Sequence, residues 1–591
     1  MPRVLISVVL VVLAACGSDT STGTTTTTTT PPPTTVSFKS NPCGTSGTVV
    51  LAVSTSTRVD CSAGGTTVTL AGNGASYLIV PQFPTDQGTN APVAFTLSSG
   101  AVASASALPV TAPGISAAVS ALRAGGLPPM RNMFAQLAAE RALRARTTRS
   151  GIAATVRSRL SQPAGVSLRA TIPAPPAAGS IRGFRVASSF TTNTYKTVAA
   201  RLAYVGDNVL VYIDTLAPAN GFTGTQLSDF GTLFDKSLYP IDTVAFGSPV
   251  DLDGNGRVVM LMSPVVNADS PKANCATQGF VAGFFNTEDF NGPSDANSNQ
   301  GEVFYTIVPD PAGTVSCVHT VDNLGLDVPA TFLHELQHLI YFSQHVIVSG
   351  TGEGSSWMDE GLSIVAEELG SLHYEQKCPP PACRTSPTQL FPDSSQGFIS
   401  GFLYDSYQYA LRPDTTSVTL HDDSENGFAW RGGTWLLMRW LGDQVGNGVF
   451  RKLIRGPANG LVNIEQATGQ SFPALFANFG LSLYTDSLPG MARSTAPAAN
   501  RFATRNVKAL WARLFATSSA SDVPTANPIQ PRAITTDSTA TSMVPGTMKF
   551  YRLDTPASAS TVTIRFAAPG GAALPVGLRA QLGVFRLPVG Q

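Results

Sequence analysis

Two histidines flanking a glutamate, in the run His334-Glu335-Leu336-Gln337-His338, are the residues of this sequence best suited to chemistry. On a helix of about 3.6 residues per turn, this spacing puts both imidazoles on one face, one turn apart. Two neutral imidazoles so placed grip one metal ion, and zinc accepts such donors in tetrahedral geometry while keeping a position for water. A third donor must come from elsewhere in the chain. Ser356-Trp357-Met358-Asp359-Glu360-Gly361 opens a second helical stretch, and Glu360 is the candidate. Glu353 competes with it, but that residue falls in a Gly/Ser-rich loop where a ligand is harder to orient, so Glu360 is preferred. Glu335 points beside the ion, where its carboxylate can take a proton from metal-activated water. That is the position of a general base for hydrolysis.

The first of these helices is expected to begin with Asp327 as its cap and Pro329 in its first turn, and to run to about Val346. Leu333, Leu336, Leu339 and Ile340 give it an apolar face. His345 lies too far along the axis to share the ion, about 10 Å beyond His338. It is expected to cap the helix or face solvent.

HELQH followed by WMDEG resembles the gluzincin zinc peptidases, and FGSPVDLDGNGRV, GFFNTEDF and EGLSIVAEELG are similar to hyicolysin-type metallopeptidases. The resemblance covers about residues 185–516. It implies a thermolysin-like catalytic core, zinc and endopeptidase activity on protein or peptide substrates, with His334, His338 and Glu360 as ligands and Glu335 as base. There are two departures. Thermolysin-like enzymes commonly carry an acid four residues after the third ligand to orient a histidine, and here Ile364 stands there, so Asp359, Glu367 or another acid must serve. The Gly-x-Met-x-Asn motif of the related aminopeptidases is missing, which favours internal cleavage. Tyr404, Tyr407, Tyr409, His421 and Arg431 are candidate donors to an oxyanion, and nothing in the sequence chooses among them.

Asp251, Asp253, Asn255 and Gly256 match the start of a calcium loop, but the twelfth position is Met262 rather than glutamate. A tight Asp/Gly turn before a strand fits better than a calcium site.

Across the whole chain, 38 basic and 38 acidic residues balance, so nothing global points to nucleic acid. Met1-Pro2-Arg3, the apolar run Val4 to Leu13 and the small residues Ala14-Ala15 have the layout of a signal peptide. Leu13-Ala14-Ala15-Cys16 resembles a bacterial lipobox, which makes Cys16 an expected lipid anchor. Gly17 after it fits sorting to the outer membrane. The remaining six cysteines suit an exported chain with disulfides, and nearest-neighbour pairing gives Cys43–Cys61, Cys275–Cys317 and Cys378–Cys383.

The expected fold is multidomain, an α+β thermolysin-like zinc peptidase core flanked by small β-sandwich domains. Residues 1–15 are read as a signal peptide and 16–36 as the lipidated cysteine with a Thr/Pro tether. A β-sandwich follows at 37–112, then a basic linker or prosegment at 113–182, the peptidase domain at 183–516 and a C-terminal β module at 517–591. Between Gly114 and Ala170 there are nine arginines and one acid, Glu140. The competing reading is a non-catalytic surface lipoprotein, an adhesin or structural module, with a degenerate peptidase domain.

Overall fold

Short runs in which every second residue turns inward make the first strands, as in Ser56–Asp60 and Thr67–Ala71. The computed structural model describes residues 40–103, 134–150, 152–161, 174–352, 354–377, 393–420, 427–489, 491, 493, 496–518, 520–538 and 540–589. Cys16 and its tether, Glu353, Cys378, Cys383 and His421 lie outside the described residues.

The N-terminal part forms β1 (Ser40–Pro42), β2 (Thr48–Val49), β3 (Ser56–Asp60), β4 (Thr67–Ala71), β5 (Ser76–Gln82) and β6 (Val93–Ser99). The middle adds β7 (Ile181–Ser189), β8 (Thr194–Val205), β9 (Val209–Asp214), β10 (Val258–Met262), β11 (Gly283–Phe285) and β12 (Val303–Thr306). The end of the chain supplies β13 (Arg532–Ala533), β14 (Ala540–Met543), β15 (Tyr551–Asp554), β16 (Thr561–Ala567) and β17 (Gln581–Arg586).

The two terminal sets do not make separate modules. One sheet has the order β1-β3-β17-β5-β15-β13 and the other β14-β6-β16-β4-β2, so strands from both ends interleave around one apolar core. This departs from the expected pair of β units at 37–112 and 517–591. The reason is that β17 fills the gap between β3 and β5, and β16 the gap between β4 and β6. Local alternation reveals a strand but not a partner roughly 500 residues away in sequence. The Cys43–Cys61 disulfide closes a loop in this region, and Cys275–Cys317 closes one near the central sheet.

The central sheet has the order β11-β12-β10-β9-β8-β7. β9, β10 and β12 run parallel and are buried along their whole length, as a sheet covered on both faces requires. β11 is an antiparallel edge strand. Helices carry the rest of the site: α1 (Phe134–Ser150), α2 (Ile152–Ser161), α3 (Tyr239–Ala245), α4 (Val321–Tyr341), α5 (Ser356–Lys377), α6 (Asp393–Leu411) and α7 (Gly427–Val445). The molecule is thus multidomain and mixes helices with sheets. Among the described residues no helix is long and apolar enough to cross a membrane.

The cap of α4 is Thr320, whose hydroxyl accepts from Asn323 N–H at 3.1 Å, and Pro329 sits inside the helix. The expected start at Asp327 is therefore late. Asp327-Val328-Pro329 has the composition of a helix start, yet the Thr320 cap and burial of both sides of α4 hold the helix through the proline. The helical path continues as a wider turn over Phe342–Val348.

α3 packs against α4 and α5 and carries Asp242, which is fully buried. Among the described residues neither of its carboxylate oxygens has a hydrogen-bond partner, and burial pushes its pKa well above the usual carboxylate range. The folded state therefore holds a proton that the unfolded state loses near pH 4, so this residue weakens the fold as pH rises from about 4 toward its folded pKa. Replacing Asp242 with leucine should raise unfolding free energy at neutral pH by about 1–3 kcal/mol, with little gain at pH 4. Urea titrations at several pH values check this, and a gain independent of pH would rule the explanation out.

Candidate metal centre

The imidazoles of His334 and His338 meet because α4 places them one turn apart on the face turned toward α5. Their Nε2 atoms are 3.1 Å apart. α5 returns beside α4 after a loop whose glycines take left-handed backbone, Gly354 at φ 74° among them. A side chain at 354 would collide with the Tyr341 hydroxyl, so the loop passes there only as glycine. Glu360 then stands 3.8 Å from His334 Nε2 through one oxygen and 3.8 Å from His338 Nε2 through the other. The ligand atoms of these three residues all lie within 4.8 Å of one another, so His334, His338 and Glu360 are brought together as a group able to hold one ion.

The remaining ring nitrogens face carboxylates. His334 Nδ1 lies 2.7 Å from Glu367 Oε1, and His338 Nδ1 lies 3.0 Å from Asp359 Oδ2. An Nδ1 proton donated to each acid leaves the Nε2 lone pair directed at the space between the rings, which is the tautomer a metal ligand needs. The donor set, two imidazole nitrogens and a carboxylate, fits zinc. The acid expected from sequence to orient a histidine is thus present twice, as Asp359 and Glu367.

Burial and neighbouring charges set the ionisation of the group. Burial pushes the His334 imidazole down to about 3, with the His338 and Arg431 charges acting in the same direction. For His338 burial opposes the charge, but Asp359 and Glu360 overcome it and raise the pKa to about 10. Burial favours neutral Glu360, yet the Arg431 and Arg144 guanidinium groups hold its carboxyl well below the usual range.

Glu335 is buried beside the pair. Its Oε2 accepts from the Phe285 N–H of edge strand β11 at 3.0 Å, and its Oε1 has no hydrogen-bond partner among the described residues. Burial pushes this carboxyl up to about 8, with His338 offsetting part of the rise. Glu335, His338 and Asp359 line one cavity of about 400 Å³ together with Phe285, Tyr341 and Phe342.

Arg431 was one of five oxyanion candidates in the sequence, and it alone of the four described stands at this group. From α7, its Nη2 donates to Glu360 Oε2 at 2.6 Å and to His334 Nε2 at 3.0 Å. Gly361 permits the approach of α7, since a Cβ there would press on Thr434 and Met438. Tyr407 is committed to the Thr525 carbonyl at 2.7 Å, and neither Tyr404 nor Tyr409 lines the cavity. His345 does not face solvent, and its ring meets the last turn of the helix Gly448–Arg455 rather than that of α4. It is buried, with Nδ1 2.9 Å from the Ile454 carbonyl and Nε2 2.7 Å from Asn459 Oδ1, because the wider turn after α4 rotates it into the interior.

Two participants were not foreseen. Arg144 of α1 contacts Glu360 Oε1, and Glu140 of the same helix lies within reach of His334 and Glu335. The only hint in the sequence was Glu140, a lone acid among nine arginines.

The Asp251 turn is closed by its own hydrogen bonds, Asn255 N–H to Asp253 at 3.1 Å and Gly256 N–H to Asp251 at 3.1 Å. Glu302, which was not anticipated, brings a third carboxylate within 4.8 Å of Asp251 and Asp253 while accepting from Leu252 N–H at 2.6 Å.

No family model matches the chain. Over 182 residues, 30% of this chain, it is 29% identical to the neutral metalloprotease ShpI of Staphylococcus hyicus. The matched stretch is 37% of that protein, so the chain spans little more than a third of this curated relative.

If the Nδ1 contacts hold the rings for ligation, Glu367→Ala and Asp359→Ala should each weaken divalent-metal affinity about 10- to 100-fold. Competition with a chromophoric chelator measures this, and wild-type affinity in both variants would show the contacts to be incidental.

Proposed function

We propose that this chain is a zinc-dependent endopeptidase whose ligands are His334, His338 and Glu360 and whose general base is Glu335. One observation carries the reading: the ligand atoms of His334, His338 and the buried Glu360 lie within 4.8 Å of one another, and Glu335 lies beside them on a cavity that His338 also lines, next to edge strand β11. Similarity to a neutral metalloprotease supports it. Bound zinc supplies a Lewis acid, which acidifies water and polarises a peptide carbonyl.

The chain's own residues do the rest. Burial and proximity make Glu335 a strong enough base to take the proton of the attacking water, and it then delivers that proton to the leaving amine nitrogen. Glu367 and Asp359 keep the imidazoles oriented. Arg431 offsets the charge of Glu360. Phe285 and Phe342 present apolar surface to a substrate side chain and exclude water from the reacting bond.

The N-terminal layout supports export and attachment to the cell envelope through acylated Cys16, at the outer membrane given Gly17. Protein or peptide substrates would then be met outside the inner membrane.

Glu335→Gln should retain one zinc per chain, measured by elemental analysis, while hydrolysis of an unfolded protein falls about 10²- to 10⁴-fold. Undiminished hydrolysis would remove Glu335 from the mechanism. Purification without stoichiometric zinc, and with no hydrolysis, would instead favour the non-catalytic lipoprotein.

A further inference from the structure

Helix α1 lies against edge strand β11 and against the His334–Glu335–Glu360 group. Its Gln136 side-chain amide pairs with the edge strand in both directions, donating to the Gly283 carbonyl at 2.9 Å and accepting from Ala282 N–H at 3.0 Å. A peptide adding to that edge would make the same kind of paired bonds. One turn on, Glu140 reaches the space between His334 and Glu335, and Arg431 Nη2 approaches it at 3.4 Å. A further turn on, Arg144 contacts Glu360 Oε1. With Arg431 on Oε2, both oxygens of the third ligand are taken by guanidinium groups. Leu143 and Arg144 line the same cavity as Phe285 and Phe342. α2 continues the cover, its Arg157 donating to the Val346 carbonyl at 3.0 Å.

We infer that α1 is an intramolecular inhibitor, with Gln136 standing in for a substrate backbone on β11 and Arg144 competing with the metal for Glu360. The inference rests on the metallopeptidase reading above. Arg431 is almost fully buried and belongs to the centre, whereas the Arg144 side chain is 31% exposed and enters from the cleft side, as a removable group must. The partner of the site is therefore a segment of this same chain. Its displacement opens the edge of β11 and frees one oxygen of Glu360.

The test uses the full chain. Zinc affinity is compared by chelator competition in Glu335→Gln and in the double variant Glu335→Gln/Arg144→Ala, where no self-cleavage intrudes. Removing Arg144 should tighten zinc binding about ten- to a hundredfold, the range set by one charge-assisted contact to a buried carboxylate. In the otherwise wild-type chain, Arg144→Ala and Gln136→Ala should each raise kcat/KM on an internally quenched peptide, and Arg144→Lys should keep most of the restraint. Should Arg144→Ala fail to fold, Gln136→Ala alone must still raise peptide hydrolysis.

Equal zinc affinity and equal hydrolysis in folded variants and wild type would overturn the inhibitor while leaving the peptidase standing. Absence of zinc binding and hydrolysis throughout would overturn both.

Discussion

A carboxylate with no exposure to water sets the terms of this site. Glu360 is fully buried, and an ionised group taken out of water costs several kcal/mol unless cations or hydrogen-bond donors replace its hydration. The surrounding elements are arranged to meet that demand. α7 brings Arg431, α1 brings Arg144 and α4 brings two imidazoles, all within about 4 Å of its two oxygens. A divalent ion placed among the same groups would serve the same end with one compact charge. The buried carboxylate therefore links the electrostatics of the candidate metal centre to the position of α1.

Such a group works only if the helices carrying it stay in register. α4 is buried on both sides and meets the edge strand through Glu335 and Phe285 N–H. α5 is also fixed about two turns beyond Glu360: Glu368 accepts from Arg505 Nε at 2.7 Å and approaches Arg439 of α7 at 3.5 Å. Arg439 in turn pairs with Asp443 at 3.2 Å. This second buried ion group ties α5 to α7 again, further along both helices.

The residues of the proposed centre could be read from sequence because their signal is local. A separation of four on a helix fixes the relation of His334 to His338, and a following helix start fixes Glu360 well enough to choose it. Asp359 and Glu367 were nameable because the acid expected at position 364 is Ile364. What escaped reading depends on distant partners. β16 and β17 look like a small terminal module until β4, β5 and β6 are seen to need them. Glu302 joins Asp251 and Asp253 only through the parallel pairing of β10 with β12. The start of α4 was misplaced because a cap-like Asp and a proline carry a start signal that burial overrode. For α1, the basic composition gave only a linker or prosegment, and nothing in its period shows that Glu140 and Arg144 turn inward on a single face.

The interleaved ends of the chain bear on how α1 is held. β6 precedes α1 and pairs with β14 and β16, while β7, which follows α2, belongs to the central sheet. α1 and α2 are therefore an internal connection between two folded bodies, anchored on both sides. A segment tethered in this way meets its site at an effective concentration on the order of millimolar. Its individual contacts, the Gln136 amide pair and the ion pairs of Arg144 and Glu140, need not be strong for the cleft to stay filled. Loss of a single end of the chain would not release it, because β1–β6 stay bound to the C-terminal strands through two sheets. Release requires a break within the connection itself, on the stretch of sequence where nine arginines stand.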